Sequence, residues 1–282
     1  MNQPPVYLIN LENREDRLIS SLKELRKINL SDSVTRKEAC NKDRASKIFS
    51  EFISSRGYNN ITTLENTKML PTWGSLGCAI SHIEIWREII NKNFMYCVIF
   101  EDDILIEDPI KFKINYNSAI NLIKKNLDTN MFITLNSKTR YDSDLSCDYP
   151  NLKKISDNVD IIGTSCYLIN NTCARSFLEM LPITYQIDIQ ISRWKPYLEA
   201  KKKTNYLIYT DSGITNKNFI SDVQYYFINF KELNNTLNCI LPLEIIEEIY
   251  KYLPKYENYN SIYNYHDNYN LYYYYSLWYE LI

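Results

Sequence analysis

From Tyr96 to Phe100 the chain reads Tyr-Cys-Val-Ile-Phe, and it then turns at once into three acids, Glu101, Asp102 and Asp103. An uninterrupted apolar run of this length suits a strand buried on both faces, as in the middle of a parallel sheet. In open α/β sheets ligands bind beyond the carboxyl ends of the strands, so the acids stand where a site is expected. Successive side chains of an extended backbone leave on opposite sides, which puts Glu101 and Asp103 together and sends Asp102 the other way. Two carboxylates held so close repel unless protonated or bridged by a cation, and oxygen donors suit Mn²⁺ or Mg²⁺. A cation there could clamp a diphosphate and neutralise a departing group. The bland alternative is that the triplet caps a helix or sits solvated on a turn.

The flanking pattern alternates strands with helices. Val6 to Leu11 reads as a strand, and Asn13 reads as an N-cap ahead of Arg14-Glu15-Asp16. Leu18, Leu22, Leu25 and Asn29 or Leu30 mark one face of the helix that follows. A second helix is expected over 42–55, closing at Arg56-Gly57, with a polar connection to Pro71. From Ser75 the positions Leu76, Ala79 or Ile80, Ile83, Trp86 and Ile90 recur at helical spacing. Beyond the acids come a helix faced by Tyr116, Ile120, Ile123 and Leu127, a strand over 131–135 and a polar loop to Pro150. Strands over 161–169 and 206–209 then flank a helix over 172–181. This order predicts an α/β fold with a mostly parallel sheet and helices on both faces.

After about Asn234 glycine disappears, and from Lys255 onward Tyr and Asn dominate. The expected division is therefore a domain over 1–233 and a small helical tail over 234–282. In the tail, Leu241-Pro242-Leu243-Glu244-Ile245-Ile246 with Ile249 and Leu253 forms an amphipathic helix with proline near its first turn. It resembles the opening of an F-box, which implies a Skp1-like adaptor as partner; the alternative is a helix packed on the rest of the chain.

Composition narrows the classes of function. The 282 residues carry 32 Lys and Arg against 34 Asp and Glu, a formal net charge of −2, which argues against nucleic acid as a ligand. Seven cysteines are scattered without a CxxC pair, and so read as free thiols in a reducing compartment. No basic segment with an apolar core opens the chain and no apolar stretch is long enough to span a bilayer, so a cytoplasmic protein without a transmembrane segment is expected.

Several further residues are placed for chemistry. Arg14 and Arg17 lie three apart on one helix face at the mouth of the first strand, where they could meet a nucleotide or its phosphates or stay solvated. Gly74 and Gly77 flank a helix start, where exposed N–H groups favour an anion and glycine lets backbone come close, or where each glycine merely serves a turn. Cys78, His82 and Trp86 recur every four residues along one stripe. With no second Cys or His pair nearby, that stripe reads as packing in which His82 finds a hydrogen-bond partner rather than as zinc ligation.

Three segments together resemble glycosyltransferase family 25, the family of lipopolysaccharide and collagen galactosyltransferases. Ile9-Asn10-Leu11-Glu12-Asn13-Arg14-Glu15-Asp16-Arg17 resembles its opening I-N-L-x-x-R-x-D-R. Gly74-Ser75-Leu76-Gly77-Cys78-Ala79-Ile80-Ser81-His82, with Trp86 following, resembles its G-x-L-G-C-x-x-S-H-x-x-x-W. Phe100-Glu101-Asp102-Asp103 matches its E-D-D. Fainter echoes follow in order: Gly163-Thr164 with Tyr167 and Ala174, then Ile187-Asp188, then Ile220-Ser221-Asp222. The stretch 211–216 departs from the family's aspartate-bearing loop.

The resemblance implies a GT-A fold of Rossmann-like type, a UDP-sugar donor, Mn²⁺ or Mg²⁺, an inverting mechanism, and a glycan or protein acceptor. It implies donor binding by Asn10, Arg14, Arg17, Gly74, Gly77, Ser81, His82 and Asp102, and metal binding by Glu101 and Asp103. Asp222 either completes the metal shell or caps a helix. An inverting transfer needs a base across the sugar from the metal, and Asp188 matches a family aspartate suited to that role.

Overall fold

Alternate residues of Val6–Asn10 (β1) and Tyr96–Glu101 (β3) feed two different cores, and this parity organises everything around the acids. Tyr7, Ile9, Cys97 and Ile99 join one cluster with Leu76, Ile80, Ile83 and Trp86 of the helix Trp73–Asn91. Val6, Leu8, Val98 and Phe100 join the other, with Leu25, Phe112, Ala119 and Ile123. The central strands are thus apolar on both faces because each face is covered by a helix layer. The same parity sends Glu101, the last residue of β3, toward the α4 layer, and Asp102 and Asp103 lie in the turn that follows.

The computed structural model describes residues 4–63, 69–136, 151–155, 161, 163–200, 205–209 and 214–216. The chain divides into two compact units, Met1–Ile220 and Ser221–Ile282, and all described residues belong to the first. Asp222 and the tail over 234–282, with its F-box-like helix, lie outside the described residues.

After β1 come α1 (Glu15–Arg26), β2 (Val34–Glu38), α2 (Lys42–Ile48), α3 (Ser55–Thr63) and α4 (Trp73–Asn91). β3 leads to β4 (Ile104–Ile106), α5 (Pro109–Lys125), β5 (Asn130–Thr134), β6 (Lys153–Lys154), β7 (Cys166–Asn170) and α6 (Asn171–Leu178). α7 (Ile187–Ala200), β8 (Asn205–Tyr209) and β9 (Ile214–Asn216) complete the series. Seven strands form one sheet in the order β2-β1-β3-β7-β5-β8-β6, and β4 pairs separately with β9.

β1 runs parallel to β2 and β3, β7 runs antiparallel to both β3 and β5, and β8 is parallel to β5 while β6 opposes β8. Five strands therefore share one direction and two are reversed, a mostly parallel, Rossmann-like α/β sheet. None of the described helices is long and apolar enough to cross a membrane.

Several elements differ from expectation for local reasons. α1 starts from Arg14, not Asn13, with no side-chain cap; Asn10 Nδ2 instead donates to the Arg14 carbonyl at 2.9 Å. The helix expected over 42–55 stops at Ile48, and Ser55–Thr63 forms a helix of its own where a polar connection was expected. Gly57 permits it, since a Cβ there would meet Ile53 Cγ1 at 2.9 Å and the Ile183 carbonyl at 3.3 Å. Buried Asn60 then secures α3 by donating to the Leu70 carbonyl at 3.0 Å. α4, by contrast, starts where expected, at Trp73-Gly74, because Thr72 and Ser75 form a reciprocal capping box. β2 carries Val-Thr-Arg-Lys-Glu, mostly half-buried or exposed, and so lacks the apolar signature of an inner strand. The strand expected over 161–169 is confined to Cys166–Asn170.

Candidate active site

The three acids at the end of β3 meet two unlike surroundings. Asp102 turns toward α1: its carboxylate accepts from Asn10 Nδ2 at 2.7 Å and from Arg17 Nη1 at 3.3 Å. Its carbonyl accepts from Ser21 Oγ at 2.7 Å, so a whole face of α1 is stitched to this residue. Burial holds the Asp102 carboxyl above its usual range; Asn10 and Arg17 oppose that shift, and nearby Glu101 adds to it.

Glu101 turns toward α4 instead. His82 Nε2 lies 3.2 Å from Glu101 Oε1, and Thr164 Oγ1 donates to the same oxygen at 2.6 Å. Burial pushes the carboxyl upward, yet His82, Thr164 and the charge of Arg17 outweigh it and leave Glu101 below its usual range. Asp103, half-buried, lies in the turn between β3 and β4.

Asp188 sits in the first turn of α7. Its Oδ2 accepts from the Gly163 amide and its Oδ1 from the Ile189 amide, both at 2.8 Å. Burial raises its carboxyl above the usual range; the backbone donors at Gly163 and Ile189 oppose that, and Glu101 adds to it. The adjacent residues Gly163 and Thr164 thus hold two different carboxylates, Asp188 through an amide and Glu101 through a hydroxyl. Gly163 manages this at φ +80°, with space so close that a Cβ would meet Asn136 Nδ2 at 2.8 Å.

The thiol of Cys78 registers the convergence. Burial pushes it well up, and Glu101, Asp188, Asp103 and Asp102 all push it further. The carboxylates that the chain order scatters from 101 to 188 are therefore close enough to act on one sulfur. Cys78, His82 and Glu101 bring their ligand atoms within 4.8 Å of one another, so the stripe read as packing borders the acids directly.

The remaining expected residues divide. Arg17 is buried on Asp102, whereas Arg14, half-buried, pairs with exposed Asp16 at 3.0 Å, so the two arginines do not form a shared clamp. Gly74 lies half-buried in the first turn of α4. Gly77 and Ser81 face backbone: a Cβ on Gly77 would meet the Cys40 carbonyl at 2.2 Å, and Ser81 Oγ accepts from the Cys40 amide at 2.8 Å while donating to the Gly77 carbonyl. Both seat α4 against the segment after β2. His82 is fully buried, with Nδ1 2.9 Å from the Tyr167 hydroxyl. The parts played by Gly163, Thr164 and Tyr167 were not legible in their spacing; their only signal was the faint echo of a family pattern.

The model of glycosyltransferase family 25 (LPS biosynthesis protein) matches residues 3–191. A lipooligosaccharide biosynthesis protein of Haemophilus influenzae is 29% identical over 126 residues, 42% of this chain and 40% of that protein. A putative glycosyltransferase of the same organism is 30% identical over 135 residues, 46% of this chain and 45% of that one. Procollagen galactosyltransferase 1-A of Xenopus laevis is 25% identical over 141 residues, 46% of this chain and 20% of that protein. The chain thus matches less than half the length of each of these relatives. It belongs to glycosyltransferase family 25.

Proposed function

We propose that this chain is a metal-dependent, inverting glycosyltransferase that moves a hexose, galactose or glucose, from a UDP-sugar to a hydroxyl of a glycan or protein acceptor. The observation that carries this reading is the pair of carboxylates Glu101 and Asp188, held beyond the end of β3 by the adjacent residues Thr164 and Gly163. The relatives named for lipooligosaccharide biosynthesis and for procollagen galactosyl transfer support the choice of substrate class.

The donor set fits Mn²⁺ or Mg²⁺. Both of the hydrogen bonds to the Glu101 side chain fall on Oε1, so among the described residues Oε2 accepts none. Carboxylate oxygens are the ligands these hard cations take. Glu101 and Asp103 would hold the ion. When bound, it supplies positive charge to the diphosphate that departs.

The chain's own residues do the rest. Asp188, raised above its usual range, takes the proton of the acceptor hydroxyl. The acceptor oxygen bonds to the anomeric carbon as the bond from that carbon to the phosphate oxygen breaks, and the electron pair leaves with UDP. Attack from the opposite side inverts the anomeric centre. Arg14 at the rim and the first turn of α4 at Gly74 contact the donor, while Asn10, Arg17 and Asp102 keep α1 in place behind it. Gly77 and Ser81 hold α4, and His82 acts on Glu101.

The test uses the purified full chain with UDP-galactose or UDP-glucose, with and without Mn²⁺, and reads UDP release. Release that requires the ion, and falls about 10²–10⁴-fold in Asp188→Asn while donor-induced thermal stabilisation persists, is the expected result. No release from any hexose donor in the presence of Mn²⁺ would sink the enzyme reading. A second reading, a nucleotide-sugar-binding protein without turnover, is favoured by one likeness. Rat "probable inactive glycosyltransferase 25 family member 3" is 42% identical over 40 residues, 14% of this chain and 7% of that protein. Thermal stabilisation by the donor without UDP release would identify it.

A further inference from the structure

We infer that Trp86, Tyr167 and His82 form a one-way hydrogen-bond chain that fixes the carboxylate of Glu101, and that all three are positioning residues for the cation site. The inference rests on reading Glu101 as a cation ligand. The direction of the chain does not.

An indole N–H can only donate, and Trp86 Nε1 donates to the Tyr167 hydroxyl at 3.0 Å. That hydroxyl has one hydrogen, and among the described residues its other polar neighbour is His82 Nδ1 at 2.9 Å. The hydrogen therefore goes to Nδ1, which becomes an acceptor, and the ring proton sits on Nε2. From there it points at Glu101 Oε1, 3.2 Å away. Thr164 Oγ1 donates to the same oxygen, so both donors fall on Oε1, and among the described residues Oε2 accepts none.

Burial makes the direction expensive to reverse. Trp86, His82 and Tyr167 all have 0% of their surface exposed. Were Nδ1 to carry the proton, the Tyr167 hydrogen would lose its acceptor in a place water does not reach, which is the costly kind of unmade hydrogen bond. The anchor is also rigid: Tyr167 pairs with Ile99 on one side and Thr134 on the other, and its ring lies 4.8 Å from that of Phe132. The competing use of these atoms is a soft-metal site of Cys78, His82 and Glu101. Ligation through Nε2 needs a lone pair there, which moves the proton to Nδ1 and strands the tyrosine hydrogen.

The chain has two histidines, His82 and His266, so histidine-selective ¹⁵N labelling of the full-length protein gives two imidazoles. The His266→Gln variant assigns them. The expected spectrum of His82 shows an acceptor-type Nδ1 and a protonated Nε2 with its one-bond proton coupling. The reverse tautomer, two protonated nitrogens, or a shift of Nε2 on adding Zn²⁺ that marks direct ligation would overturn the inference.

Tyr167→Phe removes the central hydroxyl. Affinity for Mn²⁺, read from the spin-resonance signal of the free ion, is expected to fall about tenfold, while Trp86→Phe, which spares the Tyr167–His82 bond, lowers it by about threefold at most. Unchanged Mn²⁺ affinity in Tyr167→Phe, or no Mn²⁺ binding by the parent chain, overturns the positioning role. If Tyr167→Phe fails to fold, the tautomer of the parent chain still decides the case. The expected tautomer and Mn²⁺ binding without sugar transfer would sink the transferase reading alone.

Discussion

The two faces of the sheet at the end of β3 solve the same electrostatic problem in opposite ways. On the α1 face one acid, Asp102, finds a buried arginine, an asparagine and a serine within its own chain. On the α4 face Glu101 takes His82 and Thr164 as donors, and Asp188 is held close by through the amide of Gly163. The first face is closed around Asp102. On the second, both donors to Glu101 fall on Oε1, so among the described residues Oε2 accepts none, and that is the oxygen the proposed cation would take.

Breaking the closed face should have the larger effect. Arg17 and Asp102 have side chains about nine-tenths buried, and removing one member of such a pair leaves the other charge stranded. Arg17→Met is expected to lower unfolding free energy by about 3–5 kcal/mol at neutral pH, read by urea denaturation. Burial already holds the Asp102 carboxyl high, and losing Arg17 raises it further. A carboxyl raised in the folded state favours folding when protonated and opposes it as pH rises through its folded value. The deficit of the variant should therefore shrink as pH falls. An unchanged stability at neutral pH would mean the pair is not the strut it looks like.

The second face should answer to the ion instead. Asp103→Asn removes one of the acids proposed to hold it. What the variant should lose is the stabilisation added by Mn²⁺, about 2.7 kcal/mol for the parent when the ion stands at a hundred times its dissociation constant. Thermal unfolding with and without the ion checks this. A variant that is less stable without metal yet still responds to it would place Asp103 among the structural acids, beside Asp102.

Much of this contrast was legible before the fold was known. The apolar run into Glu101-Asp102-Asp103 fixed a central strand, and the alternation of an extended chain already separated Asp102 from Glu101. Arginines three apart could not reveal that Arg14 would end up as the N-terminal boundary of α1, pairing outward, while Arg17 turned inward to a carboxylate 85 positions away. The need for Gly77 was equally hidden. Helical spacing says nothing of a carbonyl at Cys40 arriving where its Cβ would be. Gly163 and Thr164 carry no periodic signal at all, because their roles depend on a turn that serves Asp188 with one group and Glu101 with another. Position along an element could be read from the sequence, but contacts between elements far apart in the chain could not.

Glu88, farther along α4, supplies the control, because it is an acid that carries its own cations. It accepts from Lys37 at 2.7 Å, from Lys92 at 2.6 Å and from Tyr7 at 2.9 Å, tying α4 to β1 and β2. Burial alone would raise this carboxyl, but the two lysines and the tyrosine hydroxyl bring it down to about 2. A carboxyl lowered in the folded state adds stability that is present above its unfolded value and lost as pH falls toward the folded one. Glu88→Gln should therefore cost about 1 kcal/mol near neutral pH, a modest figure because Lys92 is more than half exposed and solvent screens the pair. The difference from the parent should fade between about pH 4.5 and about pH 2, where the parent loses the same charge by protonation. Mn²⁺ should leave it unchanged, since no charge here awaits a partner. If the ion altered the Glu88→Gln deficit as it alters that of Asp103→Asn, the distinction between the acids that hold the fold and the acids proposed to hold the ion would fail.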